Sequence, residues 1–158
     1  MEEAILLTVN GLRTSAIDPI ATFLTDWGLY AFPLALLLAL GAERTAERGR
    51  HLRDGWLAFL LALFVAESIV KPLVHRARPS SIDAVAAHLH ILGAAPTSAG
   101  FPSGTATACA AGATWLGLRF GPRVGAAAWA LAVLVSLTRL YAGVHWPTDL
   151  LAGWADLT

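Results

Sequence analysis

Four long stretches with no charge, or with a single charge, divide the chain at residues 27–42, 55–70, 99–118 and 124–138. A helix needs about 20 predominantly apolar residues to cross a bilayer. Several of these stretches are shorter, so either their helices extend into the flanking polar residues or the helices shelter one another. Residues 4–25 are apolar but interrupted by polar side chains, which is typical of helices at a membrane interface.

The composition indicates that these apolar stretches belong to a membrane protein. Apolar residues make up 56% of the 158-residue chain, charged residues make up 14%, and the mean hydropathy is +0.61. A soluble domain usually carries about 25% charged residues, and a small chain needs polar residues to cover its large surface. We therefore expect an all-α integral membrane bundle of about five to six helices. It forms a single domain over residues 1–158, with an interfacial segment at 1–26 and the transmembrane bundle at 27–158.

The few charged residues exclude several classes of function. The 11 basic and 11 acidic residues give a net charge of zero, so a broad nucleic-acid footprint is not expected. Cys109 is the single cysteine, which excludes an intramolecular disulfide and a cysteine cluster for zinc. We expect neither a metal nor a cofactor, and the sequence carries no signature of an oligomeric state.

The placement of arginine predicts the orientation in the membrane. The loop at 43–54 contains four arginines, the loop at 119–123 contains two, and both follow odd-numbered spans. Positively charged loops favour the cytoplasmic side, so the loops at 71–102 and 139–148 face outwards. We therefore expect a protein of the plasma (inner) membrane whose remaining cations lie on the extracytoplasmic side.

Two of the outward segments suit a phosphate group. The first follows the second span and contains Lys71, Arg76 and Arg78; arginine offers phosphate a planar fork and lysine a point charge. The second, with Ser103 and Gly104, opens the third span, where free backbone N–H groups bind anions readily. Each segment has an ordinary alternative, a cationic helix end in one case and a helix cap in the other.

The third outward segment offers a nucleophile. It contains Arg139 and His145, and Asp149 follows His145 by four residues. A carboxylate at that distance can hold the imidazole in one tautomer and leave the other nitrogen free to attack. A helix-terminal histidine with a capping aspartate is the alternative for this segment alone. Because all three segments lie on one predicted side at span boundaries, together they predict a phosphoryl-transfer site without a metal.

The order and spacing of these residues resemble the three signature motifs of the type 2 phosphatidic acid phosphatase family of membrane enzymes: Lys71-x6-Arg78-Pro79, Pro102-Ser103-Gly104 and Arg139-x5-His145-x3-Asp149. The resemblance extends from about residue 5 to the end. It implies a hydrolase that removes phosphate from a phospholipid or a polyprenyl diphosphate in the bilayer, through a phosphohistidine. Soluble vanadium haloperoxidases share this pocket, but the composition argues against that branch.

The resemblance also assigns roles by position. It implies that His145 is the nucleophile and that Asp149 orients the His145 ring. Three cations hold the phosphate oxygens, and the Ser103 side chain with the backbone of Gly104 completes the cradle; the three cations are Lys71, Arg78 and Arg139.

One departure from the family pattern concerns the second motif. The family places a general-acid histidine where this chain has Thr105, and a threonine hydroxyl is not a useful acid near neutral pH. Two explanations stay open: an engineered substitution that stalls turnover, or a natural residue in a reaction that needs less protonation. The second explanation favours diphosphates such as undecaprenyl diphosphate, because their leaving group is a weak base. Thr105 also supports a rival class, an inactive protein that binds or transports lipid phosphates.

Three further residues carry expectations. Glu67 lies inside the second span, four residues before Lys71. It is either the lysine's ion-pair partner, which we favour, or a functional carboxylate in the membrane. Tyr141 and Trp146 flank the nucleophile and are expected to anchor the membrane interface.

Overall fold

The computed structural model describes residues 1–41 and 46–155, and over these ranges the chain is helical without strands. The α-helices in these ranges are α1 (Glu2–Asn10), α2 (Asp18–Gly41), α3 (Arg48–Phe64), α4 (Asp83–Ala86), α5 (Gly104–Phe120), α6 (Pro122–Tyr141) and α7 (Pro147–Ala155). The four predicted spans correspond to the long helices α2, α3, α5 and α6.

Helix α3 continues beyond its last regular turn towards the predicted phosphate segments. It passes through a π-helical segment, Val65–Val70, into a final α-helical turn, Lys71–Val74. His75 then takes the left-handed conformation (φ 50°) and ends the helix. Short π-helical segments occur frequently at functional sites, and this one contains Glu67.

The N-terminal end of α3 corrects the predicted loop at 43–54. Residues 48–54 are helical, and residues 43–45 lie outside the described part of the chain. The side chains of Arg50 and His51 pair with Glu47 at helical spacings of three and four residues. Such pairs stabilise a helical turn, so the charged residues extend α3 instead of forming a loop.

Several helices present apolar surface outwards. Among the described residues, two helical stretches are long and apolar enough to cross a membrane, Arg48–Ser81 and Pro122–Tyr141. Large apolar side chains on α2, α3 and α6 are exposed, among them Leu34, Leu37, Leu38, Leu57, Leu60, Leu61, Phe64, Leu134 and Leu137. A bundle with such a surface suits lipid as its solvent.

Helix α5 occupies the centre of the bundle and contacts α2, α3, α6 and α7. Its first half is a run of small residues, and Ala106, Ala108, Ala110 and Ala113 are completely buried. Small residues let helix backbones approach closely. At the far end a side chain on Gly125 of α6 would meet the Gly117 backbone of α5 at 2.6 Å. This close packing fixes the start of α5 beside the ends of α3 and α6.

The N-terminal segment packs onto the same end of the bundle. Leu6 and Asn10 of α1 are buried, and the Asn10 side chain donates to the carbonyl of Tyr141 at 2.7 Å. Helix α2 begins at Asp18, whose carboxylate pairs with Arg13 at 2.8 Å and suits the positive end of the helix dipole. Helix α2 runs without a break from Asp18 to Gly41. It therefore crosses residue 26, where the sequence pattern predicts the end of an interfacial segment.

Candidate active site

His145 and Asp149 form a buried pair at the junction of α6 and α7. Gly143, with φ of +73°, makes the turn after α6, and Pro147 begins α7. The His145 ring nitrogen Nδ1 lies 3.2 Å from Oδ2 of Asp149, and the two side chains are 2% and 0% exposed. Because a carboxylate only accepts, Nδ1 carries the proton and Nε2 keeps a free electron pair.

The surroundings of His145 keep its ring neutral. Burial lowers the pKa of His145 from 6.5 to about 4; the neighbouring Arg78 and Arg139 act in the same direction, while the Asp149 hydrogen bond opposes them. Desolvation penalises the charged imidazolium. At neutral pH Nε2 therefore carries an electron pair and no proton.

Arg78 faces that electron pair. Its Nη1 lies 3.0 Å from Nε2 of His145 and also donates to the Val144 carbonyl at 2.9 Å. The remaining N–H groups donate to the Ser98 carbonyl and hydroxyl and to the Ala99 carbonyl. Neutral acceptors therefore hold the buried guanidinium in place without cancelling its positive charge.

The other two predicted cations lie near Arg78. Lys71 is 6% exposed, and its Nζ pairs with Glu67 Oε1 at 2.5 Å, which confirms the predicted ion pair. Arg139 donates from Nη1 to the Thr25 carbonyl at 3.1 Å, and its buried Nε has no hydrogen-bond partner among the residues that the structure describes. An unpaired buried donor is costly, so an oxygen ligand beside Arg139 would be stabilised.

The second motif forms the N-terminus of α5. Ser103 caps the helix by accepting from the Ala106 N–H at 3.4 Å, and its own N–H donates to the Asp149 carbonyl at 3.0 Å. This last bond ties the start of α5 to α7, which carries Asp149. Gly104 and Thr105 are the first two helical residues; Gly104 is buried and Thr105 is partly buried. The positive end of α5 therefore faces the group of cations.

Sequence reasoning missed the role of Arg76. Its Nη1 donates to Asp149 Oδ1 at 2.9 Å and to the Thr148 hydroxyl at 2.5 Å, and its Nη2 pairs with Glu2. Asp149 thus binds His145 with one oxygen and Arg76 with the other. The signal that could have identified Arg76 is its position two residues before Arg78, in a segment already rich in cations.

The structure also corrects the expectation for the two aromatic residues beside the nucleophile. Tyr141 and Trp146 are each 7% exposed and do not anchor an interface. Trp146 donates from Nε1 to the Ala77 carbonyl at 3.0 Å, and Tyr141 donates to the Asp18 carboxylate at 2.6 Å. Both tie distant segments to the site, because a buried indole or phenol needs a hydrogen-bond partner.

Comparisons with known proteins define first the class and then the family. A family model described as the PAP2 superfamily matches residues 55–155, a range that contains every predicted site residue. Together with the helical fold, this match identifies an all-α membrane phosphatase. The chain belongs to the PAP2 superfamily, so the family resemblance and the fold class inferred from the sequence are confirmed.

Two curated relatives are named as phosphatases of polyprenyl-linked compounds. The chain is 31% identical over 151 residues to the undecaprenyl-diphosphatase of Sulfolobus acidocaldarius, covering 92% of this chain and 68% of that protein. It is 31% identical over 158 residues to the decaprenylphosphoryl-5-phosphoribose phosphatase of Mycolicibacterium smegmatis, covering 96% and 81%.

Two solved structures share the fold. One is a transmembrane PAP2-type phosphatidylglycerolphosphate phosphatase from Bacillus subtilis, with a TM-score of 0.68 and 26% identity, covering 97% of this chain and 77% of that one. The other is LpxE from Aquifex aeolicus, with a TM-score of 0.73 and 24% identity, covering 96% and 86%; this second likeness concerns the fold alone.

Proposed function

We propose that the protein is a lipid phosphatase that transfers the terminal phosphate of its substrate to His145 and then to water. The observation that carries this proposal is the buried imidazole, which is held by Asp149 through Nδ1 and faces Arg78 through Nε2. Simple binding of a lipid phosphate does not need an oriented, neutral nucleophile.

In the proposed reaction, phosphate lies between the cations and the start of α5. Nε2 of His145 attacks phosphorus, and the bond from phosphorus to the lipid oxygen breaks. Lys71, Arg78 and Arg139 stabilise the charge on the equatorial oxygens, and the N-terminus of α5 adds backbone donors at Gly104. Water then attacks the phosphohistidine and regenerates His145.

An apolar groove beside the site supports a lipid substrate. The groove has a volume of about 510 Å³ and lies between α3 and α5. Val70 and Thr107 line its end near the site, and Leu118 lines the opposite end. An acyl or prenyl chain in this groove would stay within the bilayer while its phosphate reaches His145.

A polyprenyl diphosphate is the favoured substrate class. The name of one relative, undecaprenyl-diphosphatase, refers to a polyprenyl diphosphate. The leaving group adds a chemical reason, because a phosphate monoester has a second pKa of about 6 and is a weak base. A diphosphate therefore needs less help from an acid at Thr105 than a monophosphate does.

The charge distribution supports an extracytoplasmic site in a plasma membrane. Arg48, Arg50 and Arg53 lie at the start of α3, whereas Lys71 lies at its other end. Arg119 and Arg123 likewise lie at the turn between α5 and α6, at the end of each helix opposite to the site. Positively charged ends favour the cytoplasm, which leaves His145 outside.

Phosphate release in liposomes tests the proposal. We expect the full chain to release phosphate from a polyprenyl diphosphate faster than from phosphatidic acid, and we expect His145→Gln to abolish both activities. Thr105 favours the second candidate, an inactive protein that binds or carries lipid phosphates. That candidate predicts saturable binding of both lipids and no phosphate release from either the unaltered chain or His145→Gln.

A further inference from the structure

The Glu67 carboxylate lies against the phosphate cradle from the α3 side. It accepts from Lys71 and interacts electrostatically with Arg78 and Arg139 as well. A side chain built on Gly104 would have its Cβ 2.0 Å from Oε1 of Glu67. Gly104, which directly precedes Thr105, therefore leaves space at the start of α5, and the Glu67 carboxylate fills that space.

The proposed reaction needs a group that first takes up a proton and then gives it away. The Lys71 ammonium already donates to Glu67 and has no electron pair with which to take up a proton. An alcohol leaving group is a strong base and requires a proton as its bond to phosphorus breaks. Arginine does not lose its proton in proteins, and the Ser103 and Thr105 hydroxyls are not acids near neutral pH. Asp149 is already committed to His145 and Arg76. Among the described residues, Glu67 is the carboxyl group whose side chain lies against both Lys71 and the start of α5.

We propose that Glu67 is the catalytic proton donor and acceptor of this site, an inference that rests on the proposed function. A phosphate monoester brings one proton as its monoanion. Once the cations hold its oxygens, that proton passes from the phosphate oxygen to the Glu67 carboxylate. As Nε2 of His145 bonds to phosphorus, the bond to the lipid oxygen breaks, and Glu67 gives the proton to that oxygen.

The second half of the reaction uses the same carboxylate. Glu67 takes a proton from water as the water oxygen bonds to phosphorus. The bond from phosphorus to Nε2 of His145 breaks, and its electron pair returns to the imidazole. Glu67 then returns the proton to the departing phosphate, so the net reaction is lipid phosphate plus water giving lipid alcohol plus phosphate.

The experiment compares two substrates that share a chain and differ in leaving group. Farnesyl phosphate releases an alcohol, whereas farnesyl diphosphate releases a phosphate monoester. We expect Glu67→Gln to lower kcat/KM for farnesyl phosphate by about 10²–10⁴-fold, the usual contribution of a general acid, and to lower it only several-fold for farnesyl diphosphate. Glu47→Gln, an exposed glutamate with an ion pair to Arg50 at the far end of α3, is the matched control.

Two further variants separate proton transfer from the positioning of Lys71. Glu67→Asp keeps a negative charge beside Lys71 but withdraws the carboxylate from the start of α5, and it should reproduce the selective loss even if Glu67→Gln folds poorly. Thr105→His in the Glu67→Gln background should restore farnesyl phosphate hydrolysis by supplying another acid beside the cradle.

The outcomes are distinguishable. An equal loss on both substrates would mean that Glu67 only holds Lys71 in place, and no loss on either would remove Glu67 from the reaction; both results overturn the inference while leaving the phosphatase proposal intact. If the unaltered protein hydrolyses neither substrate, the proposed function fails and the inference fails with it.

Discussion

At the scale of single residues, both oxygens of the Asp149 carboxylate are used. One oxygen holds His145 and accepts from the Trp146 N–H at 2.9 Å, and the other accepts from Arg76. Charge-assisted hydrogen bonds of this kind are stronger than neutral ones. They fix the rotamer of Asp149 and, through it, the direction of the nucleophilic nitrogen.

The ionisation of His145 provides a first prediction. With its pKa lowered to about 4, His145 should stay neutral, protonated on Nδ1, from pH 7 to pH 5 and titrate only near pH 4. Because the unfolded chain would take up this proton near pH 6.5, folding stability should fall as the pH drops from 6.5 towards 4. NMR of ¹⁵N-histidine-labelled protein, with His145→Gln to assign the signal among five histidines, measures both the tautomer and the titration. Titration near 6.5, or a proton on Nε2, would contradict the proposed geometry.

Arg76 provides a second prediction, as a positioning residue. Arg76→Gln removes a charged hydrogen bond to Asp149 worth about 1.5–3 kcal/mol, so kcat should fall by about 10–100-fold. KM should change little, because Arg76 binds Asp149 and not the phosphate cradle. Arg50→Gln, at the opposite end of α3, is the control. A rise in KM with unchanged kcat would instead place Arg76 among the phosphate ligands.

The site residues show what the sequence alone could supply. Motif spacing selected residues that the structure brings together, among them His145, Asp149 and Arg78, because those residues follow a recognisable pattern along the chain. Their roles in catalysis stay predictions. Motif spacing could not identify the contact of Arg76 with Glu2 and Asp149, since 74 and 73 residues separate these partners. It also placed Tyr141 and Trp146 at an interface, because an aromatic side chain near a span end looks the same whether it faces lipid or a neighbouring loop.

At the scale of elements, α5 brings the site together. Its small residues allow α3, α6 and α7 to pack around it, and its N-terminus lies where those three helices contribute Lys71, Arg139 and Asp149. The hydropathy pattern predicted the centres of the long helices correctly. It did not predict their ends. Residues 48–54 are polar enough to resemble a loop, and the charges at residues 18 and 26 made that stretch resemble a separate interfacial helix. Both stretches are parts of the long helices.

The groove between α3 and α5 provides a third prediction. Ala58→Trp places a large ring in this groove, which Ala58 lines. Loss of about 50 Å² of apolar contact with a lipid chain corresponds to about 1.3 kcal/mol, so KM for a long-chain substrate should rise about ten-fold. Hydrolysis of a short, soluble phosphate monoester should not change. KM is measured with both substrates.

Ala130→Trp is the matched control for this experiment, because Ala130 lies on the exposed face of α6. It should leave both substrates unaffected. Equal effects of Ala58→Trp on long and short substrates would indicate distortion of the helices and would remove the groove as the chain-binding site.

At the scale of the whole molecule, the zero net charge conceals a sorted distribution. Arginines lie at one end of α3 and at the α5–α6 turn, and the phosphate cations lie at the other end of these helices. This arrangement gives a fourth prediction, on orientation. In intact cells, a membrane-impermeant maleimide should label Ala87→Cys, which lies near the site, and should not label Glu47→Cys at the opposite end.

The native cysteine keeps the background of this experiment low, because Cys109 is 2% exposed inside the bundle. Both variants should be labelled equally after the membranes are permeabilised. Labelling of Glu47→Cys but not Ala87→Cys in intact cells would reverse the orientation.

Phosphate transfer to His145 is the step on which the proposed function depends. It is tested most directly by quenching the reaction with a ³²P-labelled polyprenyl diphosphate and mapping the labelled peptide. We predict an acid-labile, alkali-stable phosphoryl group on Nε2 of His145 that forms and decays at the rate of phosphate release. It should be absent from His145→Gln. Phosphate release without any label on His145, or with the label on another residue, would contradict the account.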